Sequence, residues 1–283
     1  MANMRKCVIT ADDYGMSPAV NRAIEQGIAL GLITSTNVMT NMPYYKDIAS
    51  LDRKGASVGI HWTLTCGKPV LPASEVSSLV DSRGEFFPFS EFRMKFREGA
   101  VSPNEIVAEL KAQYTAFCKV AGMPEYWNTH ENVNVEKGLF SLFVQTAQEL
   151  GIMKMRCYQR AYVPSSTKKI ERSIKWRLME PLKSCVLYLW HRQARRQGMS
   201  FPDGRVCCMR ADDFHNMEYL LSHIQWKKKS VVEISIHPAE KIDSAYFGNM
   251  TDGRLIEYKI YTNKQVHTLF QKNRIDLCSF DEV

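Results

Sequence analysis

The 283-residue chain is 45% hydrophobic and 24% charged, which supplies ample apolar material for the core of one large α/β domain and excludes a disordered chain. No apolar run approaches the roughly 18–20 residues that cross a bilayer, and strand-like sequence begins near the first residue; neither a membrane span nor a signal peptide is expected, and a cytoplasmic location is. The net charge of +7 comes with no zinc-finger or other nucleic-acid signature, so nucleic acid is not an expected partner.

In chain order, Lys6 to Thr10 reads as a buried strand leading into a loop at Ala11-Asp12-Asp13-Tyr14-Gly15. Ser17-Pro18 then opens a helix, with Ser as N-cap and Pro in the first turn; Val20, Ile24 and Ile28 recur every fourth residue, and Gly31 stands at the stop. Thr34 to Met39 is a second strand, Tyr44 to Lys54 a helix and Ser57 to Thr65 a third strand. Lys68 to Ala100 has no clear period and reads as a long loop carrying Phe86, Phe87, Phe89 and Phe92, which either plug the rim of the core or line a ligand groove. Ser102-Pro103-Asn104-Glu105 has the pattern of a capping box, with Ile106, Leu110, Tyr114 and Phe117 as an apolar stripe behind it. Tyr126 to His130 and Lys154 to Tyr158 are strands on either side of a helix from Gly138 to Leu150. Beyond a basic segment come a weak strand at Arg205 to Met209, a helix at Asp212 to Trp226, a strong strand at Ser230 to His237, a helix near Thr262 to Gln271 and a last strand at Leu277 to Phe280. This alternation predicts an irregular (β/α) barrel of about seven or eight parallel strands, in a single domain, with a basic helical insertion; a doubly wound open sheet is the alternative. The eight cysteines form no CxxC pair and are expected as reduced, mostly buried thiols.

The informative feature is where the ionisable residues fall. Asp12 and Asp13 follow the first strand, His61 lies late in the third, His130 ends the Tyr126 strand and His237 ends the Ser230 strand. Singly, each has an ordinary reading, as turn chemistry, a satisfied core histidine or a strand stop. Together they fall at carboxyl ends of strands, which in a parallel barrel share one face, where such folds assemble their sites. A carboxylate and two imidazoles suit a divalent cation, magnesium or zinc, with positions left open. A bound cation brings the pKa of its water from 15.7 toward about 7, and the remaining carboxylate and histidine can serve as base and acid. That inventory suits hydrolysis of an amide or ester; it also describes non-haem iron oxygenases.

Those residues carry a resemblance. Ile9-Thr10-Ala11-Asp12-Asp13-Tyr14-Gly15-Met16-Ser17, with Asn21 and Gly31-Leu32-Ile33-Thr34-Ser35-Thr36, resembles the opening of the YdjC-like carbohydrate deacetylases. Val58 to Thr65 followed by Gly67-Lys68-Pro69, then Thr129-His130 and finally Glu233 through Pro238, are similar to later motifs of that family. The resemblance implies a distorted barrel that removes acetyl groups from an N-acetylated sugar, oligosaccharide or glycolipid with a bound divalent cation. It implies Asp13, His61 and His130 as metal ligands, Asp12 as base, His237 as acid toward the leaving amine and Arg156 as orienter of the base. Trp62, Asn132 and Asn134 are assigned to the substrate. Asn128, Asn132 and Asn134 stand where the family commonly has a carboxylate and two histidines, and asparagine does not titrate in the working range. A non-catalytic sugar-binding protein derived from the fold is therefore the alternative function, and a homodimer is left open.

The match is weakest at 165–198, which holds nine Lys or Arg against two Glu, a surplus equal to the net charge of the whole chain. Ile170, Ile174, Leu178 and Leu182 step by four, and Cys185, Val186, Leu189 and Trp190 continue past Pro181, so two basic amphipathic helices are expected. They either pack their apolar face on the barrel or draw in an anionic partner, such as a lipid-linked sugar at the inner membrane surface.

Overall fold

A computed structural model describes residues 5–161, 174–207, 217–226, 230–248 and 251–283. The end of the strand expected at 205–209, the first part of the helix expected at 212–226 and the start of the basic segment 165–198 lie outside the described residues.

The chain alternates strand and helix: β1 (Arg5–Tyr14), α1 (Pro18–Ala29), β2 (Ser35–Val38), β3 (Ser57–Trp62), α2 (Phe89–Arg97), α3 (Pro103–Ala121), β4 (Trp127–Thr129), α4 (Leu139–Glu149), α5 (Ile174–Arg196), β5 (Gly204–Cys207), α6 (Met217–His223), β6 (Val231–Ile236), α7 (Asp252–Tyr261), α8 (Gln265–Lys272) and β7 (Ile275–Cys278). Every strand pair is parallel, in the order β4-β3-β2-β1-β6-β5. Residues 6–8 of β1 pair with both β6 and β7, and residues 10 and 11 with both β6 and β2, so β7 takes the lower end of the edge that β2 takes above it. Parallel strands are covered on both faces, and β2 and β3 are buried at every residue.

The expected barrel is an open half-barrel. Residues 154–161, which span from β4 toward β5, do not form the expected strand and pair only through the isolated bridges Trp127↔Met155, Lys154↔Ser200 and Arg160↔Arg205. The neighbouring ladder is short for a local reason: β4 stops at Thr129 because Glu131 and Asn132 adopt left-handed φ values of 53° and 55° in the turn His130–Val135.

Local chemistry accounts for most elements. Ser17 caps α1 by accepting from the Val20 N–H, with Pro18 in the first turn. Ser102 likewise caps α3, but the box is not reciprocal: Glu105 reaches across to the N–H and hydroxyl of Ser78 instead. The segment expected as a long loop contains α2 and a 3₁₀ turn at Ser77–Leu79, and Phe86, Phe87 and Phe92 are buried in the core. Tyr44 to Lys54, expected as a helix, holds a 3₁₀ turn at Tyr45–Ser50, and the single helix expected near Thr262 to Gln271 is preceded by α7. Gly59 in β3 is required by close approach, since a Cβ there would lie 2.6 Å from the Tyr126 ring, which stacks on Phe280 at 3.8 Å.

α5 corrects an expectation. It runs continuously from Ile174 through Pro181 to Arg196 rather than breaking into two helices at the proline. Of the stripe that could face either the barrel or an anionic partner, Leu182, Val186 and Leu189 are exposed whereas Trp190 stacks on Phe140, and among residues 181–196 His191 and Ala194 are buried.

Candidate metal centre

β1 continues past its apolar run, so Asp12 and Asp13 lie inside the strand rather than in a loop after it. Between Ala11 and Tyr14 the register slips: Ala11 faces Thr36 and Tyr14 faces Val38, so β1 carries one extra residue, and Asp13 has φ 73°. Such a bulge re-aims side chains next to sites. Consecutive residues of a regular strand point to opposite faces; the extra residue lets both carboxylates enter one polar network. A left-handed non-glycine residue costs about 1–3 kcal/mol, and the contacts of Asp13 offset it.

Asp13 is fully buried, and its Oδ1 lies 3.2 Å from His61 Nε2 and 3.0 Å from His130 Nδ1. One ligand atom from each residue falls within 4.8 Å of the other two. The other oxygen, Oδ2, is held by Arg254 from α7, whose guanidinium also sits 5.0 Å above the Tyr246 ring. Burial works against charge on His130, but Asp13 outweighs it and pushes that imidazole up to about 10; this spot favours a positive charge. One carboxylate oxygen and two convergent imidazole nitrogens fit a divalent cation, with His130, 16% exposed, on the open side.

Asn128 orients the His61 ring from behind. Its Oδ1 lies 2.5 Å from His61 Nδ1; in that orientation Nδ1 carries the proton and the Nε2 lone pair is free to ligate. The swapped amide would instead donate to Nδ1 and accept from Arg156 and Asn37, placing the ring proton on Nε2. A cation on His61 selects the first orientation.

Asp12 faces a different set. Arg156 grips it through two parallel bonds of 2.7 Å, and Asn37 Nδ2 donates at 2.6 Å. Arg156 also donates through Nε to Glu233 Oε1 at 2.8 Å. Burial alone would raise the Asp12 carboxyl, but Arg156 outweighs it and holds Asp12 well below the usual carboxylate range. His237 follows β6; its backbone N–H donates to Glu257 Oε2 at 2.6 Å, and its Nε2 lies 3.5 Å from Asp12 Oδ2. Burial, set against the nearby aspartates, brings the His237 imidazole down to about 4, so it is neutral at pH 7.

The structure thus brings Asp12, Asp13, His61, His130, Arg156 and His237 together, and buries two of the three residues assigned to the substrate. Trp62 is buried in the core against Trp127 and Phe143, its Nε1 donating to Leu110 O. Asn134 is fully buried and accepts from Thr129, which pins the turn after β4. Neither presents a surface to a ligand. Asn132 is half-buried, its Oδ1 accepting from Arg205 at 2.8 Å. Arg254, Asn37, Glu233 and Glu257 were not singled out as site residues. Asn37 obeys the same strand-end rule and Glu233 opens the motif that ends in His237-Pro238, while Arg254 and Glu257 carry no local motif.

Fold and site together define a class: a parallel α/β half-barrel with a buried carboxylate and two histidines, suited to a divalent cation, at the carboxyl ends of its strands. The chain belongs to the YdjC-like family, whose model, described as "YdjC-like protein", matches residues 6–272. It is 32% identical over 146 residues to a carbohydrate deacetylase of Halalkalibacterium halodurans, an alignment covering 51% of this chain and 60% of that protein. The first relatives are thus matched over only about half to three-fifths of their length. A carbohydrate deacetylase of Brevibacillus brevis aligns over 98% of this chain and 99% of its own length at 24% identity. A crystal structure from Enterococcus faecalis, titled a putative cellobiose-phosphate cleavage protein, superposes with a TM-score of 0.75 at 25% identity, covering 98% of each chain.

Proposed function

We propose that the protein hydrolyses the acetamide of an N-acetylated sugar, oligosaccharide or glycolipid, releasing acetate and the free amine. The observation that carries this reading is the division of labour at adjacent residues: Asp13 joins the two histidines, while Asp12, one residue away, joins Arg156 and His237. The names of the full-length relatives support the same reading. When bound at Asp13, His61 and His130, a divalent cation supplies an acidified water and polarises the acetamide carbonyl. Two imidazoles favour zinc, with magnesium as the alternative.

The chain's own residues then move one proton. Arg156 and Asn37 hold Asp12 ionised and aimed, so Oδ2 takes the proton of the attacking water. His237 starts neutral, so the proton it gives the leaving amine is the one Asp12 received, passed across the 3.5 Å between Oδ2 and Nε2. Atoms balance: water adds hydroxyl to the acyl carbon, the C–N bond breaks and the nitrogen leaves protonated. The reaction belongs, in this proposal, to the cytoplasm. Acetate release from N-acetylglucosamine oligomers by zinc- and by magnesium-loaded protein tests it; no acetate from either form overturns it.

A further inference from the structure

We propose that the outer face of α5 docks on an anionic phospholipid bilayer. Leu182, Val186 and Leu189 follow one another at four- and three-residue steps on the solvent side and are 63%, 39% and 52% exposed. The opposite side anchors the helix. His191 accepts from the Tyr158 N–H at 3.1 Å and contacts Leu187 O at 2.6 Å, and Trp190 stacks on Phe140 at 5.3 Å. The apolar stripe is therefore outward by construction, because the inward face is already satisfied.

Cations flank that stripe. Arg195 is engaged internally, with Asp203 and over the Phe201 ring. Lys183, Arg192 and Arg196 make no ion pair among the described residues, and residues 181–198 contain no Asp or Glu. Leu182 and Val186 also border a cavity of about 730 Å³ whose inner side is lined by Phe140, Val144 and Trp190; on its far wall Arg93 and Arg97 are paired with Glu136 at 2.6 and 2.7 Å, and Lys137 stands beside them. An apolar stripe bordered by basic side chains is what an interfacial helix presents to headgroups and acyl chains. A second copy of the chain fits poorly, since a symmetric contact on this face would bring together two segments that each carry nine Lys or Arg against two Glu. No helix among the described residues is long and apolar enough to cross a membrane, so the contact lies on the surface. The turn that starts at the candidate ligand His130 ends at Val135, on the cavity wall, which places the docking face one turn of chain from the site.

The full-length protein is floated at low salt with vesicles of phosphatidylcholine, or of phosphatidylcholine mixed with phosphatidylglycerol. Binding is expected only to the anionic vesicles, falling as salt rises. The pairs Leu182→Ser with Leu189→Ser, and Arg192→Glu with Arg196→Glu, should each weaken it by more than about 10-fold while leaving thermal unfolding unchanged. Absence of binding, equal binding to both vesicles, or variants that float like the parent would overturn the proposal. So would a solution dimer that the serine pair turns into monomer, because the second copy would then be the occupant. None of these readouts involves acetate release, so docking and the proposed activity fail separately.

Discussion

Around the candidate metal centre Asp12, Asp13, Arg156, Glu233 and Arg254 are buried, whereas on α5 Leu182, Val186 and Leu189 are exposed to solvent. Both regions invert the ordinary placement of charge outside and apolar surface inside, and in opposite directions. At the strand ends, each buried charge meets an opposite one from another strand or helix, as Asp12 meets Arg156 and Asp13 meets Arg254. On α5, Leu182 and Val186 border a cavity shared with Phe140 and Val144, yet much of their surface and that of Leu189 is left uncovered by the described residues. The first inversion is closed upon itself and shapes a site; the second is open and shapes a surface.

The largest expected effect lies at the candidate metal centre. His61→Ala or His130→Ala should lower divalent-cation affinity by more than about 100-fold, since either removes one of three donors. Metal analysis of dialysed protein, beside its far-ultraviolet circular dichroism, checks this; retained metal in both variants would assign the ligands elsewhere. Next comes the ion network behind the site. Arg156→Met leaves Asp12 and Glu233 buried without their cation and should cost about 3–5 kcal/mol in a denaturant titration. A change below about 1 kcal/mol would mean that the pair is not closed as the structure shows.

The strand-end site is largely legible in the sequence because parallel topology does the placing: wherever strands run the same way, residues at their carboxyl ends converge. Asp12, Asp13, His61, His130 and His237 are found by that rule, and the resemblance adds Arg156. The bulge at Asp13 is not legible, since nothing marks an aspartate for a φ of 73°. Nor is Arg254, which reaches Asp13 across 241 residues from a helix with no strand-end signature. Trp62 follows His61 in the motif, but strand alternation turns it to the opposite face and into the core. On α5 the spacing predicts two helices with an apolar stripe where one continuous helix forms, and periodicity cannot say which way the stripe faces; His191 and its bond from the Tyr158 N–H decide it.

Burial of the two histidines sets a smaller, pH-dependent effect. Burial brings both His191 and His237 down to about 4, while an unfolded histidine titrates near 6.5. The unfolded chain therefore binds more protons below 6.5, so their contribution is full above that pH and is lost as pH falls through about 4. Denaturant midpoints should decline over this window, and His191→Gln should flatten the decline; an unchanged slope would contradict the neutral, hydrogen-bonded ring. The smallest effect lies on the open face of α5, where Leu182→Ser and Leu189→Ser should each change stability by less than about 0.5 kcal/mol. A loss of 2 kcal/mol or more, on the order of a buried leucine, would show that the stripe is covered in solution.

In the proposed reaction Asp13, His61 and His130 hold a cation while Asp12 moves the proton. Acetate release from N-acetylglucosamine oligomers tests it most directly when parent and Asp12→Asn proteins are measured after chelation and again after the cation is restored. The parent should be active only with the cation, and Asp12→Asn should retain the cation yet turn over about 10²- to 10⁴-fold more slowly. Equal rates for the two loaded proteins, or full activity of the chelated parent, would contradict the account.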